Sequence, residues 1–422
     1  MKKNFCQHFG KCGGCAYLDL PYEEELAIKR NALIETLGEY AKFFGALHVV
    51  PEKNFAREEC VFFPREGYRN KMEFAFGDDG KDGNLALGIR KKRSFYEVAS
   101  PENCVLICDD FKKIVAFVTE FFRDAGEKFF HRKRHTGALR HLVLRRGENT
   151  GEILVLLSAA SSLGASLENF SDGLLKLPLA GKIVGVLHSE NDGLADAVKN
   201  EKIKILRGRD FFFEEICGLR FKISAFSFFQ TNSRGAEILF AFVRDFAGAN
   251  GTALDLYCGT GTIAQVVAPN FERVVGVEIV EEAIFAAREN AAINGIANCE
   301  FFAGDAFEVL QKIFFASGER VGFCENSMCG CDENTTESSR FSRINAVIVD
   351  PPRDGLHPKA LEKIAALGAP RIVYVACKPK SLVRDLPFLL RAGYEVQKIE
   401  AVDMFPRTPH IELVTVLYST SP

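Results

Sequence analysis

The sequence lacks the features that define several classes of protein. No apolar run in its 422 residues approaches the roughly 18 residues of a membrane helix, so we expect no membrane partner. The amino terminus has lysines but no apolar stretch behind them, which argues against a secretory signal and for a cytoplasmic protein. No internal repeat is visible. With 47% hydrophobic and 26% charged residues, the chain is not disordered, collagen-like or coiled-coil, and its length suits two or three domains.

The small net charge conceals an uneven distribution. The net charge of the whole chain is −3, but residues 1–226 sum to +3 and residues 227–422 to −6. Residues 128–147 hold seven Lys and Arg, three His and no acid. Such a segment is either a patch that binds phosphate groups or a solvated charged face.

The composition divides the chain into three predicted domains. Residues 1–44 contain a Cys-rich start and a helical stretch. Residues 45–226 contain short apolar or alternating segments typical of strands, interrupted by one helical stretch at 109–126. Residues 227–422 alternate buried-type strands with helices, which predicts an α/β fold with a doubly wound, mostly parallel sheet. The polar segment 317–343 in this last part is interpreted as a loop insertion.

Three successive strand ends in the last domain carry residues suited to binding a nucleoside. The segment ALDLYCGTGTI places Gly259 and Gly261 in a tight turn before Thr262. Because glycine has no side chain, a ligand can approach the backbone closely at these two positions. Glu278 and Asp305 end the next two strands, and an acidic residue about 20 positions after such a turn can hold a ribose. The third glycine of dinucleotide-binding turns is missing. The pattern resembles the class I S-adenosylmethionine-dependent methyltransferases.

Three further strand ends carry residues that could act on a substrate. Asp350 precedes two prolines in VIVDPPRDGLHP, which stiffen an acidic turn. Cys377 follows the strand RIVYVA, where a thiol could attack a substrate and Lys378 could lower its pKa. Glu412 begins an apolar strand, and burial would raise its pKa for general-base work. Taken singly, each has a structural alternative: a strand-ending turn, a packed Cys or a solvated Glu.

The order of these motifs resembles the RNA uracil-5 methyltransferases over nearly the whole chain. FFQTN at 228–232, YRNKMEF at 68–74 and VDMFPRTPHIE at 402–412 extend the resemblance. It implies that Cys377 adds to C6 of a flipped-out uracil and that Glu412 then removes the proton on C5.

The resemblance also implies the positions of the ligand contacts. Asp350 would lie near both cofactor and uracil. Where the family usually has Ser-Cys-Asn-Pro around the nucleophile, this chain has Ala-Cys-Lys-Pro at 376–379. The remaining residues expected to contact S-adenosylmethionine are Gln230, Tyr257, Glu278 and Asp305, together with the turn formed by Gly259, Gly261 and Thr262.

The cysteines predict a second cofactor. An odd count of 13 without an export signal argues against a disulfide framework. Cys6, Cys12 and Cys15 resemble the start of the family's iron–sulfur-bearing members, which implies a [4Fe-4S] cluster with Cys104 as the fourth ligand. Cys108 is the close competitor for that position. A zinc site and unligated thiols stay open as alternatives.

RNA is the expected partner. Because the cluster-bearing members act mostly on large-subunit ribosomal RNA, we expect 23S rRNA as the substrate, with tRNA as the alternative. Residues 128–147 and Arg90 to Arg93 are the candidates for phosphate contacts. No protein partner is predicted, and a monomer is expected. Two other classes stay open: a non-catalytic iron–sulfur sensor or electron carrier, and a methyltransferase for DNA or a small molecule.

Overall fold

A computed structural model describes residues 6–50, 66–81, 83–195, 202–306, 308–309 and 344–420. The chain forms two compact units, each assembled from separate stretches of sequence. The first comprises Met1–Glu25, Val50–Ser233 and Phe405–Pro409. The second comprises Leu26–Val49, Arg234–Met404 and His410–Pro422. The predicted insertion at 317–343 lies outside the described residues.

The described residues form seventeen strands and eight α-helices. In chain order the strands are β1 Phe44–His48, β2 Lys71–Asp78, β3 Leu85–Arg90, β4 Val98–Ala99, β5 Leu139–Arg146, β6 Glu152–Ala159, β7 Lys182–Glu190, β8 Ile203–Gly208, β9 Phe211–Ile216, β10 Leu219–Ser224, β11 Thr252–Leu256, β12 Arg273–Glu278, β13 Cys299–Ala303, β14 Ile344–Val349, β15 Arg371–Ala376, β16 Tyr394–Val402 and β17 Glu412–Ser419. The helices are α1 Tyr22–Leu37, α2 Asp109–Asp124, α3 Leu167–Leu175, α4 Ser233–Ala247, α5 Thr262–Val267, α6 Glu281–Ile293, α7 Pro358–Ala366 and α8 Pro379–Arg391. Short 3₁₀ helices lie at Gly38–Phe43 and Ala268–Asn270.

The second unit is built on an eight-stranded sheet in the order β1-β16-β17-β15-β14-β11-β12-β13. Strand β17 runs antiparallel to both of its neighbours, and the other five pairings are parallel. Strands β11, β12, β14 and β15 are almost wholly buried, as expected of strands covered on both faces. The sheet is therefore the doubly wound, mostly parallel sheet that the alternating pattern predicts.

The first unit contains a seven-stranded sheet in the order β4-β3-β2-β5-β6-β7-β8 and the separate hairpin β9-β10. All neighbours in the larger sheet are antiparallel except β6 and β7, which α3 connects. The buried face of α2, including Phe111, Ile114 and Phe122, joins the core of this unit. The helix expected at 109–126 and the strands expected around it are thus observed in this β-rich unit.

The two units differ from the predicted domain boundaries at short segments with long-range partners. Residues 26–49 belong to the second unit, where β1 extends the large sheet beside β16. The buried Lys29 ammonium lies 2.8 Å from a carboxylate oxygen of Asp403. Phe405–Pro409 belongs to the first unit, where the Tyr68 hydroxyl donates to the Pro406 carbonyl. Composition cannot reveal these partners because they are hundreds of residues apart in sequence.

Candidate active site

The candidate site lies where the direction of winding in the large sheet reverses. From β11 the chain proceeds to β12 and β13 on one side, whereas β14 leads to β15 on the other. The carboxyl ends of the neighbours β11 and β14 therefore border a crevice, which is the usual ligand position in such sheets. Tyr257 follows β11 at this edge and Asp350 follows β14.

The turn after β11 requires its glycines. Gly261 has a φ of +74°, and a Cβ there would come within 2.7 Å of the Phe301 ring. Gly259 also has a positive φ, of +52°. Oδ2 of the buried Asp255 accepts a hydrogen bond of 2.9 Å from the Ala264 amide, which attaches the turn to the helix beginning at Thr262. The backbone at the crevice therefore carries no side chain at either glycine, and the turn is held in place.

Two acidic groups border the same turn. The Glu278 carboxylate accepts hydrogen bonds from the Gly259 amide at 3.2 Å and the Val280 amide at 3.0 Å. Burial raises the pKa of Tyr257, and the nearby charges of Asp305 and Glu278 raise it further. The carboxylate of Glu278 keeps lone pairs for further donors, so it can receive the hydroxyl pair of a ribose. These residues fit the nucleoside portion of S-adenosylmethionine.

Cys377 and Glu412 meet at the neighbouring strands β15 and β17. In this antiparallel pair Ala376 stands opposite Leu413, so the next step along each strand brings Cys377 opposite Glu412. Cys377 is half-buried and Glu412 is buried. The 13-residue helix α8 starts two residues after the thiol, and its N-terminal dipole favours a thiolate there.

The electrostatics join these two residues to Asp350 and Arg353. Burial raises the pKa of Cys377 to about 11, with Glu412 and Asp350 raising it and Arg353 lowering it. Burial also raises the pKa of Glu412 well above its usual value, and Asp350 adds to the effect while Arg353 opposes it. Burial raises the pKa of Asp350 to about 6. The four side chains, from the ends of strands β14, β15 and β17, therefore lie in one site.

The structure corrects the expected role of Lys378 and reveals a missed residue. Lys378 is exposed, and it is not among the main groups that shift the pKa of Cys377. The nearby cation that lowers this pKa is Arg353, on the loop after β14. Its position directly after Asp-Pro-Pro was the available signal in the sequence. The cation that acts on Cys377 therefore comes from the loop after the neighbouring strand β14 and not from the next residue in the chain.

A buried carboxylate supports this loop. Asp385 on α8 accepts hydrogen bonds from the Leu356 amide at 2.8 Å and the Tyr374 hydroxyl at 2.7 Å. Gly355 has a φ of +71°, and a Cβ there would lie 2.7 Å from the same carboxylate and 2.6 Å from Arg384. The loop that carries Arg353 is therefore attached to the strand and helix on either side of Cys377.

Gln230 lies in the first unit. Its backbone carbonyl accepts a hydrogen bond of 3.0 Å from the Asn70 side chain. The buried Arg145 donates to the carbonyls of Ser224 and Ser227 at 2.7 and 2.6 Å, which holds the segment that leads to Gln230. The expected cofactor contact of Gln230 stays a prediction.

The predicted cluster ligands line a common cavity in the first unit. Cys6, Cys12, Cys15 and Cys104 surround it together with apolar side chains that include Phe9, Ile89 and Val105. Burial raises the pKa of Cys15 to about 12, and the other three thiols contribute. Within the described residues, no group of three or more His, Cys, Asp or Glu is arranged to hold a metal ion.

Cys108 has a different environment from Cys104. It is buried at the N-cap of α2, where its sulfur accepts a hydrogen bond from the Arg146 side chain. It does not line the cavity that the other four cysteines share. This arrangement favours Cys104 over Cys108 as the fourth member of the group.

Part of the predicted basic patch is buried and does not lie at the surface. Arg140 and Arg145 are each 2% exposed, and His141 is also buried. Arg140 donates to the Gly193 carbonyl at 2.7 Å, whereas Arg145 holds the segment before Gln230. Both guanidinium groups therefore serve the fold and are not available to phosphate. The exposed cations of this segment lie at 128–134.

None of the described helices combines the length and apolar character needed to cross a bilayer.

Comparison with known proteins identifies the family. Residues 197–420 match the family model of the tRNA (uracil-5-)-methyltransferases. An uncharacterized RNA methyltransferase from Clostridium tetani is 40% identical over 420 residues, which cover 98% of this chain and 83% of that one. A relative described in the same words from Caldanaerobacter subterraneus is 41% identical, with coverage of 98% and 84%.

A solved structure agrees over most of its length. The Pyrococcus abyssi tRNA (uracil-54, C5)-methyltransferase in complex with S-adenosyl-L-homocysteine has a TM-score of 0.71 and 27% identity, covering 96% of this chain and 86% of that one. These findings favour an enzyme acting on RNA over the sensor, DNA and small-molecule alternatives. The chain belongs to the RNA (uracil-5-)-methyltransferase family, whose members use S-adenosylmethionine as methyl donor.

Proposed function

We propose that this enzyme methylates C5 of a uridine in 23S ribosomal RNA through a covalent bond between Cys377 and C6 of the uracil. The observation that carries the chemistry is the placement of Cys377 opposite Glu412, with Asp350 and Arg353 close enough to affect both pKa values. C5 of uracil is a weak nucleophile, so a reaction there requires activation by addition at C6.

Cys377 and Glu412 have separate roles in the proposed reaction. The thiolate of Cys377 forms a bond to C6, and the C5–C6 π electrons move toward O4 to give an enolate. When bound, S-adenosylmethionine would supply an electrophilic methyl group to this enolate; the bond from C5 to the methyl group would form as the methyl–sulfur bond breaks, and S-adenosylhomocysteine would leave. Glu412 then takes the C5 proton, the C5–C6 double bond re-forms and the Cys377–C6 bond breaks. Burial makes ionised Glu412 a stronger base, as this last step needs.

Trapping the adduct tests the covalent mechanism. In RNA that contains 5-fluorouridine, fluorine replaces the C5 proton and cannot leave as a cation, so the adduct should persist as a band resistant to denaturation. We expect Cys377→Ala to give no adduct and no 5-methyluridine. Glu412→Gln should accumulate adduct on ordinary uridine, because addition proceeds but elimination does not. Methyl transfer by Cys377→Ala would exclude this mechanism.

The [4Fe-4S] cluster is the second part of the proposal. Its support is the cavity that Cys6, Cys12, Cys15 and Cys104 share. Four thiolates are the usual ligand set of such a cluster, which would tie the amino-terminal residues to the first unit. Anaerobically purified protein should contain about four irons. Cys104→Ser should lose iron while the matched variant Cys108→Ser retains it, and one zinc per chain would refute the cluster.

Ribosomal RNA is proposed because the family members with this cysteine arrangement act mostly on it. The tRNA alternative has its own support in the name of the family model and in the activity of the Pyrococcus abyssi enzyme. Nucleoside mass spectrometry of separated ribosomal and transfer RNA, from cells with and without the gene, distinguishes them. Loss of 5-methyluridine from ribosomal RNA alone supports the proposal, and loss from transfer RNA alone overturns the substrate but not the chemistry. We also propose a cytoplasmic monomer, which sedimentation and fractionation can test.

A further inference from the structure

Two basic turns of the first unit are joined by stacked rings. The Tyr96 and His131 rings lie 4.3 Å apart between centroids, with an interplanar angle of 23°. Tyr96 follows the turn at 91–95, and His131 begins the turn at 131–136. The second turn is closed by a hydrogen bond of 2.8 Å from the His131 amide to the Thr136 carbonyl. The stacked rings therefore bring the two turns side by side, and their exposed side chains together form a surface of this unit.

This surface carries charge of one sign. Residues 91–96 and 128–136 contain seven Lys and Arg and no Asp or Glu. Lys91 pairs with Glu97 at 2.9 Å, which neutralises one of the seven. The Lys92 amide donates to the Lys11 carbonyl at 2.7 Å, which brings a further exposed lysine alongside. We call it the basic–aromatic surface; its members are the exposed Lys92, Arg93, Phe95, Arg132, Lys133 and Arg134.

Phe95 is the unusual member of this surface. Its side chain is 70% exposed, in a turn that also carries Lys92 and Arg93. Its backbone is held, because its carbonyl accepts a hydrogen bond of 2.5 Å from Arg90 and the Ser94 amide donates to the Lys91 carbonyl at 3.2 Å. An exposed ring on a held backbone in a turn rich in cations is an arrangement by which proteins stack an unpaired base and hold the phosphates beside it.

The other aromatic and cationic surface of this unit differs. On the hairpin of β9 and β10, Arg220 covers the Phe213 ring at 4.1 Å and Lys222 covers the Phe211 ring at 4.5 Å. Cations already cover these rings, so a base would have to displace them to stack there. Phe95 is thus the better candidate for stacking.

We propose that the basic–aromatic surface binds a single-stranded segment of the RNA substrate, with an unpaired base stacked on Phe95 and phosphates contacted by Arg93, Lys133 and Arg134. This rests on the proposed function, since it assumes that the substrate is a structured RNA with unpaired loops. Because a base in a duplex is already stacked, the surface should prefer single strands.

The test measures RNA affinity as a function of salt. The probe is an oligouridylate of about 16 nucleotides, the upper end of a single-strand site, compared with an RNA duplex of the same length. Phe95→Ala should weaken binding of the single strand roughly 5- to 150-fold without changing the salt dependence. Lys133→Ala/Arg134→Ala should make the slope of log affinity against log salt shallower by about 1.4, since each phosphate contact contributes about 0.7.

The matched control is Leu175→Ala/Lys176→Ala, which removes an exposed apolar and an exposed cationic side chain. These residues end α3, which contacts β7 and β8 at the opposite edge of the sheet from β3 and β4. The control should bind as the parent does. Unchanged binding in Phe95→Ala, equal losses in the control, or equal affinity for the duplex overturns the proposal.

Methylation assays on the same variants distinguish the proposed methylation of RNA from the proposed binding of RNA at the basic–aromatic surface. With saturating RNA, the variants of the basic–aromatic surface should retain the parent kcat and show a raised KM for RNA. If no RNA is methylated but Phe95→Ala and the double variant weaken oligouridylate binding as expected, the proposed function fails and the surface is supported. If the parent enzyme methylates RNA and these variants do so with the parent KM, the surface fails and the function stands.

Discussion

Replacing Arg353 should make Cys377 less reactive, whereas replacing the adjacent Lys378 should not. Arg353 lowers the pKa of Cys377, which burial raises to about 11. At pH 8 the gap of three units leaves about one thiol in a thousand as thiolate. Losing a nearby positive charge raises the pKa of a thiol by about one to three units, and the lower end applies here because Arg353 is exposed.

The expected change in rate follows from two opposed effects. A rise of about one unit reduces the thiolate population about tenfold at pH 8. The more basic thiolate is also about threefold more nucleophilic, so alkylation of Cys377 in Arg353→Ala should slow by only about threefold. Its pH profile should shift upward by about one unit. The difference should shrink at high salt because the charge at Arg353 is solvent-exposed.

The assay follows iodoacetamide alkylation against pH by peptide mass spectrometry, because 13 cysteines require site-resolved measurement. Lys378→Ala is the matched control: it removes the cation next to Cys377 in sequence and should leave the profile in place. Slower alkylation in Lys378→Ala than in Arg353→Ala would refute the reasoning. So would a parent profile that levels off near pH 8.

Three further predictions concern stability and cofactor binding. Asp385→Ala leaves a buried amide and a buried hydroxyl without their acceptor. Chemical denaturation should therefore show that the free energy of unfolding falls by about 2–5 kcal/mol. The value of kcat should also fall, because the loop that carries Arg353 loosens. Lys29→Met removes the ammonium that pairs with the buried Asp403 carboxylate and should cost about 3–5 kcal/mol in the same measurement, whereas Lys29→Met/Asp403→Leu should recover most of it. Gly261→Ala places a Cβ against the Phe301 ring at a positive φ, so calorimetry should show at least about tenfold weaker binding of S-adenosylhomocysteine; unchanged affinity would contradict the geometry of the turn.

Local sequence patterns predicted much of the fold. The helix at 109–126 appears as Asp109–Asp124, and the segment EEAIFAARENAAING contains Glu281–Ile293. Helical and strand periodicities depend on near neighbours, so they can be read from one sequence. The doubly wound sheet was also predictable from the sequence. Parallel strands need crossover helices, and the alternation of strands and helices along the chain indicates such crossovers.

The candidate site was predictable for a related reason. Asp350, Cys377 and Glu412 each stand at an end of a strand, and such ends collect at one edge of the sheet. The sequence could therefore name the groups that we propose to react. It could not give their electrostatic partners, since Arg353 reaches Cys377 only because β14 and β15 are neighbours.

The sequence by itself determined the candidate site residues, most types of element and the family resemblance, because each depends on short stretches of the chain. Only the tertiary structure decided which of these residues meet. It buried Arg140 and Arg145 inside a segment that reads as a basic patch, and it placed Cys104 but not Cys108 at the cavity of the amino-terminal thiols. The physical reason is that burial and proximity depend on strand order and packing between segments far apart in the chain, which local patterns do not encode.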